Sequence, residues 1–126
     1  MIDDKPLDNR APCRGELWYP GNVSEFEVQA FLYCALKSMG YDVRGEVCTR
    51  GGRCRFDLVI YRREKTGAGV RPMPIRIIEV KATRGKKWGD QVAEYRRRYG
   101  VPVDHVGGMK AATSYVRDVA AIVGVP

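Results

Sequence analysis

The chain has 126 residues, with 44% hydrophobic and 29% charged side chains, a balance that fits one globular domain and excludes disorder throughout. Lysine and arginine number 22 against 15 acids, a net charge of +7, which favours a polyanionic partner, nucleic acid first. No apolar run approaches the ~18 residues of a membrane span, and the polar start from Met1 to Arg10 is unlike a secretory leader, so a cytoplasmic protein that avoids membranes is expected.

Residues 1–21 hold three prolines, scattered charge and the cluster Leu17-Trp18-Tyr19. They read as an N-terminal arm, followed by a single domain over residues 22–126. Ser24 with Glu27 three residues later forms a capping-box signature. Val28, Phe31, Leu32, Ala35, Leu36 and Met39 then recur at helical spacing, and Gly40 closes the helix. Cys34 falls within this apolar pattern and is expected in the core.

Tyr41 to Cys48 reads as a short strand, and Thr49 to Gly52 as a turn. Arg53 to Tyr61 ends in a nearly continuous apolar run, the mark of a central strand. Residues 62–74 contain Gly67, Gly69, Pro72 and Pro74 among basic residues and read as an exposed, mobile loop. Ile75 to Ala82 is a further strand, Trp88 to Tyr99 a helix, Val101 to Val106 a strand and Met109 to Val123 an amphipathic helix. The order αβββαβα makes an α/β sandwich, a mixed central sheet flanked by helices. The four cysteines, Cys13, Cys34, Cys48 and Cys54, form no C-x-x-C pair and His105 is the only histidine, a poor basis for structural zinc. Cys48 and Cys54 flank the first hairpin turn and are expected as free thiols.

Three charges interrupt the apolar strands. Asp57 precedes Leu58-Val59-Ile60, and Glu79 and Lys81 break the run from Ile75 to Val80. A buried charge costs several kcal/mol unless paired or metal-bound. Period-2 alternation puts Glu79 and Lys81 on one face with Ile77, and Asp57 on one face with Val59 and Tyr61. If these strands are neighbours, one register gathers the three charges. Two carboxylates can share a hard divalent cation, and a lysine beside them can activate water or offset charge on a phosphate. The plainer reading is a structural ion pair of Lys81 with Asp57 or Glu79.

Asp57 followed by Glu79-Val80-Lys81, within this order of elements, resembles the PD-(D/E)XK nuclease superfamily, although Phe56 and not proline precedes Asp57. The resemblance spans about residues 23–123. It implies a restriction-endonuclease-like fold and a Mg²⁺-dependent phosphodiester hydrolase in which Mn²⁺ can substitute. Asp57 and Glu79 would be metal ligands and Lys81 the catalytic lysine. Members of the superfamily often add a glutamate from the first helix. Glu25 lies about +60° from Val28 and Glu27 about −100°, with the apolar face near +10°. Glu25 is thus nearer the sheet, and Glu27 already serves the cap.

Gln91 and Tyr95 share a helix face at i, i+4 and resemble the Q-x-x-x-Y element of some branches, which assists the lysine and contacts the nucleic-acid backbone. Arg62 and Arg63, then Arg84, Lys86 and Lys87, and finally Arg96 and Arg97 are expected to grip phosphates without reading bases. DNA is favoured over RNA by the resemblance alone, and so small a nuclease can act as a homodimer. The rival reading is a non-catalytic, basic nucleic-acid-binding protein on the same fold.

Overall fold

A computed structural model of the chain describes residues 22–49, 52, 55–82 and 100–126. The expected arm at 1–21, Cys54 and the expected helix at 88–99 lie outside them. The described elements are helix α1 (Glu25–Ser38), strands β1 (Asp42–Cys48), β2 (Arg55–Thr66), β3 (Gly69–Lys81) and β4 (Val103–Gly107), and helix α2 (Gly108–Val123). None of these helices is long and apolar enough to cross a membrane.

Helix α1 begins where its sequence directs. The Ser24 side chain accepts from the Glu27 amide and the Glu27 carboxylate accepts from the Ser24 amide, so two orphan donors are satisfied reciprocally. Its end is equally local. Gly40 takes φ +98, and the amides of Gly40 and Tyr41 donate back to the carbonyls of Lys37 and Leu36, the Schellman arrangement that a glycine makes cheap.

The strands form one mixed sheet in the order β1-β2-β3-β4. β1 pairs antiparallel with β2, and β2 with β3, while β4 lies parallel to β3. This is an α/β fold in which α1 and α2 press one sheet face. Val28, Leu32 and Leu36 of α1 and Ala112, Tyr115 and Val119 of α2 meet Leu58, Ile60, Ile78, Val80 and Val106 in the main core. Each fully buried aliphatic side chain contributes about 1.5–3 kcal/mol. The opposite face buries a smaller cluster of Phe56, Val59, Ile77 and Val103. α2 is tied to the sheet by a polar contact as well. Arg76 makes a bidentate pair with Asp104 at 2.7 and 3.0 Å, and the Tyr115 hydroxyl donates to Asp104 Oδ2 at 2.8 Å. Those partners raise the Arg76 pKa, and burial, then Asp104, raises that of Tyr115.

Two expectations are corrected. Cys34 is exposed, because it sits about 160° around α1 from the stripe of Val28, Leu32 and Leu36. Residues 62–74 are not a loop. β2 and β3 continue as a two-stranded ribbon with pairs from Arg62↔Met73 to Thr66↔Gly69. Only Gly67 and Ala68 form the turn, and Gly69 takes φ +112. Thr66 Oγ1 accepts from the Ala68 amide and donates to the Gly69 carbonyl, which fixes the tip. Pro72 and Pro74 fit because β4 does not begin its pairing with β3 until Ile77, so this part of β3 has a free edge.

Candidate active site

The antiparallel ladder of β2 and β3 carries Val59↔Ile77 and Leu58↔Ile78 as its last pairs toward the β3 C-terminus. One more step in that register sets Asp57 across from Glu79. There the ladder gives way to a side chain, for Asp57 Oδ2 accepts from the Val80 amide at 2.7 Å. The β2–β3 ladder ends at this point, beside three groups that the sequence places on one face.

Glu79 is 7% exposed, the one buried charged residue among those described. Its Oε1 is buried with no hydrogen-bond partner. The Glu79 pKa is pushed up from 4.5 to about 8. Burial is the largest cause, followed by the charge of Asp57 and a hydrogen bond between the two carboxyl groups. The Asp57 backbone and the charge of Lys81 act in the other direction. Two carboxylates at this spacing cannot both ionise cheaply without a cation.

Lys81 is half-buried at the end of β3. The ion pairs of the described residues join Arg44 to Asp42, Arg55 to Glu46, Arg76 to Asp104 and Arg117 to Asp118. None involves Lys81, although its positive charge acts to lower the pKa of Glu79. Its field is still felt, since burial and then Lys81 lower the pKa of His105. His105 faces Glu79 across the parallel β3–β4 pairing.

Further support comes from α1 and β1. Gln29 Nε2 donates to the Asp57 carbonyl at 3.0 Å and to Glu46 Oε1 at 3.1 Å. The β1–β2 pairing runs from Gly45↔Leu58 to Val47↔Phe56, skipping Glu46 and Asp57. Glu46 has φ +55, the single positive φ outside glycine among the described residues, a conformation that costs of order 1 kcal/mol or more. Gly45 lies alongside, where a Cβ would make ordinary contacts of 3.9 Å with Gln29 Nε2 and 3.7 Å with the Asp57 carbonyl. The sequence argument missed Gln29. The available signal was its place one turn beyond Glu25 on the same side of α1.

The structure thus gathers Asp57, Glu79 and Lys81. Glu25 is exposed in the first turn of α1, and Glu27 is engaged in the cap. Arg62 and Arg63 stand five and six residues along β2 from Asp57, about 17–20 Å at the usual strand rise. Arg62 donates to the Val123 carbonyl at 3.2 Å. Gln91, Tyr95, Arg84, Lys86, Lys87, Arg96 and Arg97 lie outside the described residues. A cleft of about 290 Å³ lined by Tyr41, Tyr61, Arg62 and Pro126 opens at that same distant end of β2.

Among the described residues no three His, Cys, Asp or Glu side chains converge as a metal set. The donors present are two hard carboxylates, one with an unpartnered oxygen. That set suits Mg²⁺, which keeps several of its waters and takes one or two protein carboxylates together with substrate phosphate. No family model, no curated protein and no solved structure matches this chain.

Proposed function

We propose that this chain is a divalent-metal-dependent nuclease, built on a restriction-endonuclease-like core, that hydrolyses phosphodiester bonds of DNA. The observation that carries this reading is Glu79, buried against Asp57 with its Oε1 unpartnered and its pKa near 8. A fold keeps two carboxyl groups in such a costly arrangement where a cation will join them.

Asp57 and Glu79 would hold that cation, Mg²⁺ or Mn²⁺, which when bound supplies positive charge against the phosphate and makes water more acidic. The protein groups do the rest. Asp57 is held in place by the Val80 amide on one side and by Gln29 on its carbonyl. Lys81, outside the ion pairs of the described residues, orients the attacking water and offsets charge that grows on the phosphoryl oxygens. Water adds to phosphorus, the bond to the leaving ester oxygen breaks, and that oxygen takes up a proton. The net charge of +7 draws the polyanion to the site.

The test is cleavage of supercoiled plasmid, linear duplex, single strands and a four-way junction, with Mg²⁺, Mn²⁺ or EDTA, beside a Lys81→Ala variant. Cleavage that needs metal and falls at least about a hundredfold in the variant is expected, the loss typical of a transition-state charge. Salt-sensitive binding without cleavage under every condition would replace the nuclease by a binding module.

A further inference from the structure

The ribbon of β2 and β3 beyond Tyr61 projects from the sheet with no layer of its own. Residues 62–74 are exposed throughout. They carry Arg62, Arg63, Lys65 and Arg71 against the single carboxylate of Glu64. The register sorts these charges by face, because directly opposed residues of an antiparallel pair share a side. Arg63↔Pro72 and Lys65↔Val70 form one face, with no acid on it; Arg62↔Met73 and Glu64↔Arg71 form the other. Arg62 is spent on the Val123 carbonyl. Arg63, Lys65 and Arg71 take part in none of the ion pairs of the described residues. Val70 is 58% and Met73 40% exposed, both on the ribbon, with no described element packed over them.

We propose that this ribbon is a docking element for duplex DNA, a second contact separate from the carboxylate site, with Arg63 and Lys65 of the acid-free face on phosphates. Charge complementarity selects a polyanion. The shape selects the duplex: a two-stranded β-ribbon fits the B-form major groove, about 12 Å wide, whereas the major groove of duplex RNA is too deep and narrow for it. A single strand is disfavoured because sequence-tolerant binding of unpaired bases uses aromatic platforms, and residues 62–74 contain no aromatic side chain. Val70 and Pro72 give the acid-free face an apolar surface suited to thymine methyl groups and sugar edges.

The ribbon also sets a footprint, and this part rests on the nuclease reading. Arg63 and Lys65 lie six and eight residues along β2 from Asp57, about 20–26 Å. At about 3.4 Å per base pair, they contact duplex six to eight base pairs from the scissile phosphate. A substrate with a shorter duplex flank loses the contact.

The experiment is equilibrium binding of the full chain in EDTA, so that no cleavage intervenes. The probes are a 20-base-pair duplex DNA, the corresponding single strand and a duplex RNA of the same sequence, each over a salt series. The variant is Arg63→Gln/Lys65→Gln, with an unchanged melting temperature as the check on its fold. Wild type is expected to prefer duplex DNA. In the variant that affinity falls about tenfold or more at low salt, and the log–log salt slope flattens by about two, near 0.9 per lost phosphate contact. An unchanged affinity and slope in the folded variant would overturn the proposal, as would equal wild-type binding to the single strand or the duplex RNA. Cleavage with Mg²⁺ is scored separately. A wild type that cleaves while the variant binds equally well refutes the ribbon alone, and one that binds through the ribbon without cleaving refutes the nuclease alone.

Discussion

Replacing Glu79 by glutamine should stabilise the protein at alkaline pH while abolishing any metal-dependent activity. The Glu79 carboxyl has a pKa of about 8 in the fold, against 4.5 for an ordinary glutamate. Because the folded value is the higher one, the folded state binds the extra proton. Its contribution is therefore complete below pH 4.5 and is lost as pH rises through 8. Each pH unit in which the group is protonated in the fold and ionised in the unfolded chain costs about 1.4 kcal/mol. Across the whole window this sets a ceiling of about 5 kcal/mol. Relaxation and water penetration around a partly buried carboxyl reduce the expected loss to about 2 kcal/mol, which is about 6–10 °C in melting temperature for a chain of this size. The assay is thermal unfolding in EDTA from pH 5 to 9. Wild type should lose stability along that range, Glu79→Gln should lose much less, and the two curves should converge near pH 5. Added Mg²⁺ should restore the wild type at pH 8.5 and leave the variant unmoved. Parallel curves for the two proteins would refute the argument that Glu79 sits unneutralised beside Asp57.

Gln29→Ala removes the donor to both the Asp57 carbonyl and Glu46. It should lower the urea midpoint by an amount worth about 1–2 kcal/mol and weaken cleavage as well; an unaltered midpoint would deny the clamp. Tyr115→Phe leaves the Arg76–Asp104 pair intact and should cost about 1 kcal/mol, whereas Arg76→Met strands a half-buried carboxylate and should cost about 2–3 kcal/mol. Denaturant titration of both, and of the double variant, reads the coupling, expected to make the double loss smaller than the sum.

The parts of the fold written in short-range chemistry were legible in the sequence. Ser24 and Glu27 cap α1 through their own neighbours, and Gly40 ends it where a left-handed residue is needed. The meeting of Asp57 and Glu79 was legible because charge inside an apolar strand is conspicuous and strand alternation assigns its face. The ribbon was not legible. A two-stranded projection buries nothing, so residues 62–74 carry no apolar alternation, and their glycines and prolines dominate the pattern. Cys34 misled because apolar neighbours in sequence are not neighbours around a helix. Gln29 was missed for another reason: its place one turn beyond Glu25 gives its side of α1, but not its partners, a carbonyl on β2 and a side chain on β1. His105 gains its meaning only from the parallel pairing that sets it across from Glu79.

The ribbon's form has a consequence for solubility. Beyond Tyr61 neither strand has a second partner strand among the described residues, which leaves edges of the kind on which chains add to one another. Pro72 and Pro74 remove two amide donors from the β3 edge. The crowd of like charges on Arg62, Arg63, Lys65 and Arg71 holds a second ribbon at a distance. The residues that would grip a duplex are thus also the guards against self-association, and at high protein concentration a polyanion that neutralises them would have to cover the edges that it disarms.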